Sequence, residues 1–206
     1  MPTPDFTLAS QYIQHIGDQI AAKGVAVPLW LQQSGLPGNW LEEPTPGISL
    51  PVLERLVGEA ISMTREPAIG LLVGERLLVN THGMLGYAAM SSVTIRQMLE
   101  LFEHFIRLRI ALITARHEVH ADEVRLRFTE VLPLGDIRRP VLECVLLAVK
   151  NVLDFITMGT CRISYIAFPF ERPDYAVLAE GLFKCEVRYG QSWAGFSMPP
   201  EQLDTP

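Results

Sequence analysis

At about residue 111 the apolar period of the chain changes, and this change constrains the fold more than any other feature. Before it, apolar residues recur at helical spacing. Leu8, Tyr12, Ile13, Ile16 and Ile20 share one face of residues 8–23, and Leu53, Leu56, Val57, Ala60 and Ile61 form a stripe behind Ser49 and Pro51. From 111 to 131 the stretch ALITARHEVHADEVRLRFTEV alternates apolar and polar residues around Ala121 and Asp122, the pattern of a β-hairpin. A two-residue loop sets Val119 opposite Val124, His117 opposite Leu126 and Ala115 opposite Phe128 on the core face. Glu118 opposite Arg125 and Thr114 opposite Thr129 favour the same register on the polar face. A sequence patterned for one period does not settle into the other, so both kinds of structure must be present. The expectation is an α+β fold: a helical part over about 8–107, then an antiparallel sheet with packed helices over about 110–200, as a single domain spanning residues 1–206.

Local signals bound the elements. Gly24 stops the first helix, Pro28 and Gly35 bracket a second, Ser49 caps a third, and Pro67 ends that third helix near Glu66. PAIGLLVGERLLV (67–79) reads as a fourth helix. Thr94 and Gln97 spell a capping box ahead of Ile95, Met98, Leu99, Phe102, Phe105 and Ile106, the clearest amphipathic helix in the chain. Pro140 opens a long buried helix that Gly159 closes. Residues 162–170 form a strand in which Pro169 marks an edge or strand end, and 175–183 a short helix. KCEVRYG and WAGFSMP pattern as a final hairpin.

Charge and cysteine usage narrow the function classes. A net charge of -6, with three lysines against fourteen arginines, argues against a dedicated nucleic-acid surface. Cys144, Cys161 and Cys185 match neither a disulfide framework nor a zinc spacing, which fits reduced thiols in a cytoplasmic protein. MPTPDFTLAS lacks the basic start and apolar run of a signal peptide. The longest apolar stretch, 141–158, contains Glu143, Lys150, Asn151 and Asp154, so a buried helix is expected there and a membrane span is not.

The small-residue stretch THGMLGYAAMSSVT (81–94) invites a phosphate-loop or catalytic reading, but it lacks the lysine of a Walker loop and the GxSxG of a nucleophile elbow. Its serines precede a helix, where they cap exposed amides. Tyr87 alone keeps a functional reading, because its hydroxyl can meet a ligand while its ring packs. The histidines have no partners at ligand spacing. His117 and His120 point to opposite strand faces, and Glu103 and His104 are turned apart on a helix. No catalytic set, metal site or cofactor is expected. IAAKGVAVPLWLQQSGLP has the outline of a helix-turn-helix, but PLWLQQ is short and uncharged, which fits a core hairpin better than a DNA reader. Arg107, Arg109, Arg116, Arg125 and Arg127 cluster around the central helix end and the hairpin, as a solvated ion-paired face or as a patch for a carboxylate or phosphate.

EPAIGLLVGERL, HGMLGYAAMSSVTIRQMLELFEHFIRLR and KCEVRYGQSWAGFSMPPEQLDTP, in this order, resemble the N-terminal regulatory domain of AraC-type transcription regulators. The closer likeness is to the arabinose-binding-domain-like branch, which includes ornithine-utilisation and virulence regulators. The resemblance implies a domain that senses a small-molecule effector and forms a homodimer. DNA would be contacted only through a C-terminal helix-turn-helix domain, towards which family members continue beyond Leu203-Asp204-Thr205-Pro206, so an isolated or truncated sensory domain is expected here. Arabinose itself is not implied, and no ligand residues carry over. From chemistry alone, Tyr87, Arg109, Arg116 and Trp193 are the candidate effector contacts, being polar groups beside apolar walls. The alternative is a ligand-free dimerisation module with a closed core. An enzyme would require His104 or His117 to meet an acid and a nucleophile in a cleft.

Overall fold

In the computed structural model, residues 8, 10–42, 48–82, 90–109 and 111–204 are described, with side chains left out at 105 and 107–109. The helical half comprises α1 (Ser10–Ala22), α2 (Val27–Gln33), α3 (Leu50–Thr64), α4 (Ile69–Arg76) and α5 (Ile95–Arg109), with a 3-10 turn at Val79–His82. The second half runs β1 (Ile113–Val119), β2 (Val124–Glu130), α6 (Arg138–Ile156), β3 (Tyr165–Ala167), α7 (Ala176–Phe183), β4 (Glu186–Arg188) and β5 (Ala194–Met198), ending in a 3-10 turn at Pro200–Asp204. This is the α+β arrangement that the change of period requires.

The hairpin register is the expected one: Val119 pairs with Val124, His117 with Leu126, Ala115 with Phe128, Glu118 with Arg125 and Thr114 with Thr129. The His120 amide closes the loop by donating to the Glu123 carbonyl at 2.9 Å. Two local expectations change. Ser49 occupies the N-cap of α3 but makes no capping side-chain bond, since Pro51 has no amide to offer and the Val52 amide is taken by the Ser49 carbonyl at 3.0 Å. Before α5, the Gln97 amide donates to Thr94 Oγ1 at 3.3 Å, while Gln97 Oε1 accepts from the Val93 amide, one residue earlier than a strict capping box.

The final hairpin is not formed. The sheet order is β1-β2-β5-β3-β4: β5 pairs antiparallel with both β2 and β3, and β4 pairs parallel with β3. KCEVRYG and WAGFSMP thus flank β3 instead of each other. Their alternation shows that they are strands but carries no information about which edge they meet. Pro169 stands beyond the end of β3, which is an interior strand, so the strand-end reading is the one that applies.

Helix α6 lies at the centre. Leu142, Leu146, Leu147, Val149 and Leu153 are buried among residues from every side, as a helix apolar all round requires. It meets α4 backbone to backbone: a Cβ on Gly70 would lie 2.3 Å from the Pro140 carbonyl oxygen, and one on Gly74 2.9 Å from that of Cys144. Asn151 Nδ2 donates to the Gly74 carbonyl at 3.0 Å, which also accepts from the Leu77 amide at 3.1 Å, so a side chain of α6 is tied to the end of α4. In the helical half, the Trp30 indole donates to the Leu56 carbonyl at 2.8 Å, and Trp30 and Leu31 are fully buried, so α2 spends its apolar face on the core. One buried cluster runs from α1 through α6 to the inner sheet face of Leu126, Phe196 and Ile166.

The glycine contacts yield a paired test. Gly70→Ala is expected to lower unfolding free energy by roughly 3 kcal/mol, the upper end for overpacking against backbone. Gly58→Ala, in the open face of α3 with nothing within 4 Å, should raise it by roughly 0.5–1 kcal/mol. Urea unfolding of the two variants distinguishes them; equal effects would contradict the close crossing.

Candidate functional site

Two concavities stand out. The first is a cavity of about 120 Å³ inside the helical layer. Tyr12 and Ile16 of α1, Val57 and Ala60 of α3, Ile69 and Val73 of α4, Phe102 and Ile106 of α5, and Val141, Val145 and Val149 of α6 contribute to its walls. These residues meet because each helix turns its apolar stripe to the same centre, while the glycine crossing of α4 and α6 keeps that wall thin. Among the described lining side chains, the polar functions are the Tyr12 hydroxyl, the His82 ring and the Cys144 thiol. Tyr12 Oη lies 3.2 Å from His82 Nδ1, which ties α1 to the 3-10 turn after α4. Burial, then the nearby Glu143 carboxylate, pushes the Cys144 thiol up to about 12, so it stays neutral. The described wall is mainly apolar and carries no aspartate, glutamate, lysine or arginine.

The second is an open polar cleft of about 440 Å³ on the outer face of the sheet, lined by His120, Asp122, Glu123, Arg125, Tyr165, Arg188 and Ser197 among others. Register builds it: Arg125, Ser197 and Tyr165 stand side by side across β2, β5 and β3. All three converge on Glu123, which accepts from Ser197 Oγ at 2.5 Å, Tyr165 Oη at 2.9 Å and Arg125 Nε at 2.6 Å. Burial alone would raise the Glu123 carboxyl, but these three donors outweigh it and hold it below its ordinary value. The stability it brings is therefore present above the ordinary carboxylate range and is lost as pH falls. Arg125 also lies 5.0 Å from the centre of the Trp193 ring, and Arg188 3.7 Å from that of Tyr165. Glu123 and Arg125 pair within the cleft and Arg188 with Glu186 beside it, so the cleft reads as a structural node.

The four candidates from sequence are distributed as follows. Trp193 is buried on the outer sheet face against Tyr165, with ring centroids 6.1 Å apart. Arg116 is exposed on the polar face of β1, opposite Arg127. Neither borders the helical cavity. Arg109 ends α5, with its side chain outside the described atoms, and Tyr87 lies outside the described residues. Of the arginine cluster, Arg125 is engaged by Glu123, and Arg127 lies 3.8 Å from Glu118.

Several interactions were missed because they join residues far apart in sequence. His117 Nδ1 sits 2.7 Å from Glu103 Oε1, joining β1 to α5, but the pair borders neither concavity. Glu143, fully buried on α6, accepts from Tyr175 Oη at 3.0 Å. Burial pushes its carboxyl up to about 7, against the opposing pull of Tyr175 and Arg139. Among the described residues, no group of three or more histidine, cysteine, aspartate or glutamate side chains is placed to hold a metal ion. No helix among them is long and apolar enough to cross a membrane.

The described residues thus form an α+β domain with an apolar cavity in its helical layer. Comparison with known proteins specifies the class. The family model described as the arabinose-binding domain of AraC transcription regulators, N-terminal, matches residues 24–206, and the chain belongs to this family. An ornithine utilization regulator from Pseudomonas aeruginosa is 25% identical over 195 residues, which is 95% of this chain and 58% of the relative. The chain thus spans somewhat more than half of that relative's length. The crystal structure of the transcriptional regulator CdpR from Pseudomonas aeruginosa superposes with a TM-score of 0.69 at 18% identity, covering 93% of this chain and 56% of CdpR, and establishes the shared fold. The resemblance read from the sequence motifs is borne out at the level of family and fold.

Glu143 supplies a pH test. A carboxyl raised from its ordinary 4.5 to about 7 in the folded state contributes fully below pH 4.5, and that contribution is lost as pH rises to about 7. Stability should fall by on the order of 3 kcal/mol across that window from this group. Glu143→Gln should flatten that part of the profile, as measured by denaturation at a series of pH values.

Proposed function

We propose that this chain is the effector-sensing part of an AraC-type transcription regulator, with the helical cavity as its ligand site. The observation that carries this reading is the cavity itself, a partly open apolar space among several helices in a domain whose family regulates transcription. An apolar concavity among packed helices is the kind of place where a small molecule removes its own apolar surface from water. A ligand favouring one arrangement of α1, α3, α4 and α5 around the cavity would shift a population between domain geometries. In the longer regulator that shift would reach a C-terminal DNA-binding domain, and DNA would be contacted only there.

The same reading includes a homodimer, a cytoplasmic location, action as one domain over the whole chain and no catalytic activity. The family label names arabinose and the curated relative's name concerns ornithine; each is a starting point for the effector search here. Tyr87 is kept as a proposed effector contact because it follows His82 closely in the chain. Arg116 and Trp193 belong to the sheet face and are proposed to act in its ion-paired surface.

Filling the cavity tests the proposal. Val57→Phe, or Ala148→Leu from the opposite wall, should abolish the effector-dependent change in promoter output of the full-length regulator. Circular dichroism and sedimentation should remain unchanged. Full retention of response in both folded variants would refute the cavity as the sensing site.

A further inference from the structure

We propose that α5 is the wall of the helical cavity that shifts when a ligand enters, and that the 3-10 turn Pro200–Asp204 follows α5 and carries the shift out of the domain. This rests on the cavity being the effector site and adds the route by which its occupation is read.

Two of the walls are tied main chain to main chain. Helices α4 and α6 meet at Gly70 and Gly74, where an added Cβ would lie 2.3 Å and 2.9 Å from carbonyl oxygens of α6. Changing their spacing would mean parting backbones that leave no room for a side chain. Helix α5 meets the cavity differently, through the buried side chains of Phe102 and Ile106. Small slides between packed helices, on the order of 1–2 Å, are a common form of ligand response.

A helix moves as a rod, because its main-chain hydrogen bonds run along it. Helix α5 therefore joins the cavity to two points outside it. One is β1, where His117 Nδ1 lies 2.7 Å from Glu103 Oε1, a residue flanked in the chain by Phe102 and Ile106. The other is the C-terminal turn. Arg96 donates from Nε and Nη2 to Asp204 Oδ1, both at 3.1 Å, and Leu203 is buried in the main core. Along the axis Arg96 stands roughly 9 Å from Phe102 and roughly 15 Å from Ile106, at about 1.5 Å per residue. With α5 held at Glu103, a tilt that moves Ile106 one way moves the Arg96 end the other way, on the longer arm.

The turn bridges this helix and the sheet. It continues from β5, which is bonded to both β2 and β3, and Gln202 Oε1 accepts from the Arg162 amide at 2.8 Å, shortly before β3. Its other side is held by α5. The Arg96 and Asp204 side chains are 40% and 77% exposed, so their pair adds little to stability, and its part is to orient the turn on α5. In the reading above, the DNA-binding domain of the longer regulator follows this turn.

Filling the cavity from within stands in for an unidentified ligand, and hydrogen–deuterium exchange of the whole chain reads the result. Val57→Phe and Ala148→Leu should each change amide exchange at 95–98 and 200–204 by about threefold or more, and at 70–74 by less than about 1.5-fold. Val57→Ile, one methyl larger, should act on the same amides in the same direction, and serves where the larger side chains prevent folding. Gly58→Ala, beside Val57 but with nothing within 4 Å of the new methyl, should leave the turn unchanged. Arg96→Glu should remove the difference at 200–204 between filled and unfilled chains, and Asp204→Arg added to it should restore that difference. A purely packing role for Arg96 would give no such rescue, and a difference that persists in Arg96→Glu would overturn the part assigned to the pair. Equal changes at 70–74 would mean general loosening and would overturn the route, as would an unchanged turn in every folded filling variant. Cavity sensing is then judged separately, by the promoter response of the filled regulators. If the turn responds but those regulators keep their effector response, the link from cavity to turn stands and the sensing proposal falls.

Discussion

The enclosure of helix α6 is the constraint on which the rest of the structure depends. A helix buried on every side must find a partner for each polar group it carries. Glu143 is met by Tyr175, Lys150 by Asp154 one turn on, and Asn151 by carbonyls at the end of α4. These polar contacts fix where α4 and α7 dock, because a shift along the axis would strand a buried donor or acceptor. The apolar residues around them tolerate more latitude. At Gly70 and Gly74 even that is withdrawn, since the helices meet with no side chain between them.

Against this rigid side, the cavity lies where packing is completed by long side chains from α1, α3 and α5. Tyr12 and His82 close one part of the wall by a hydrogen bond between elements 70 residues apart. The outer sheet face is organised differently. Glu123 gathers three donors from three strands, and Trp193 covers Ala167 and Tyr165 in a small apolar cluster of its own. Among the described residues, one half of the molecule leaves space lined by few polar groups, and the other gathers polar groups around Glu123. The proposed ligand site rests on the first arrangement, and the second forms an ion-paired surface.

Much of the fold was legible from local chemistry. The β1–β2 register followed from charge and threonine pairs flanking a short loop, and α1 to α3 from apolar spacing bounded by glycine and proline. What could not be read was anything that depends on partners remote in sequence. β4 and β5 alternate as paired strands should, yet β3 lies between them, and nothing in either strand specifies that. The cavity was hidden for another reason: Val57, Ala60, Val145 and Val149 read as core because their chemistry is that of core, and an incomplete filling of space has no signature in a single chain. Arg116 and Trp193 drew attention as polar groups beside apolar neighbours. That juxtaposition also describes an ion-paired sheet face, which is where both stand. The motifs of family resemblance served better, because they record a whole arrangement instead of one contact.

The position of β5 has a consequence for how the chain acquires its shape. Strands β2 and β3 are joined only through it, and it is made after every other strand. During synthesis the β2 edge of the hairpin and one edge of β3 therefore wait for β5, beside inner residues Leu126, Phe128 and Ile166. Such edges are where a chain pairs with the wrong partner. The sheet closes only when residues 194–198 are released, so this domain completes its folding late and over long sequence separations.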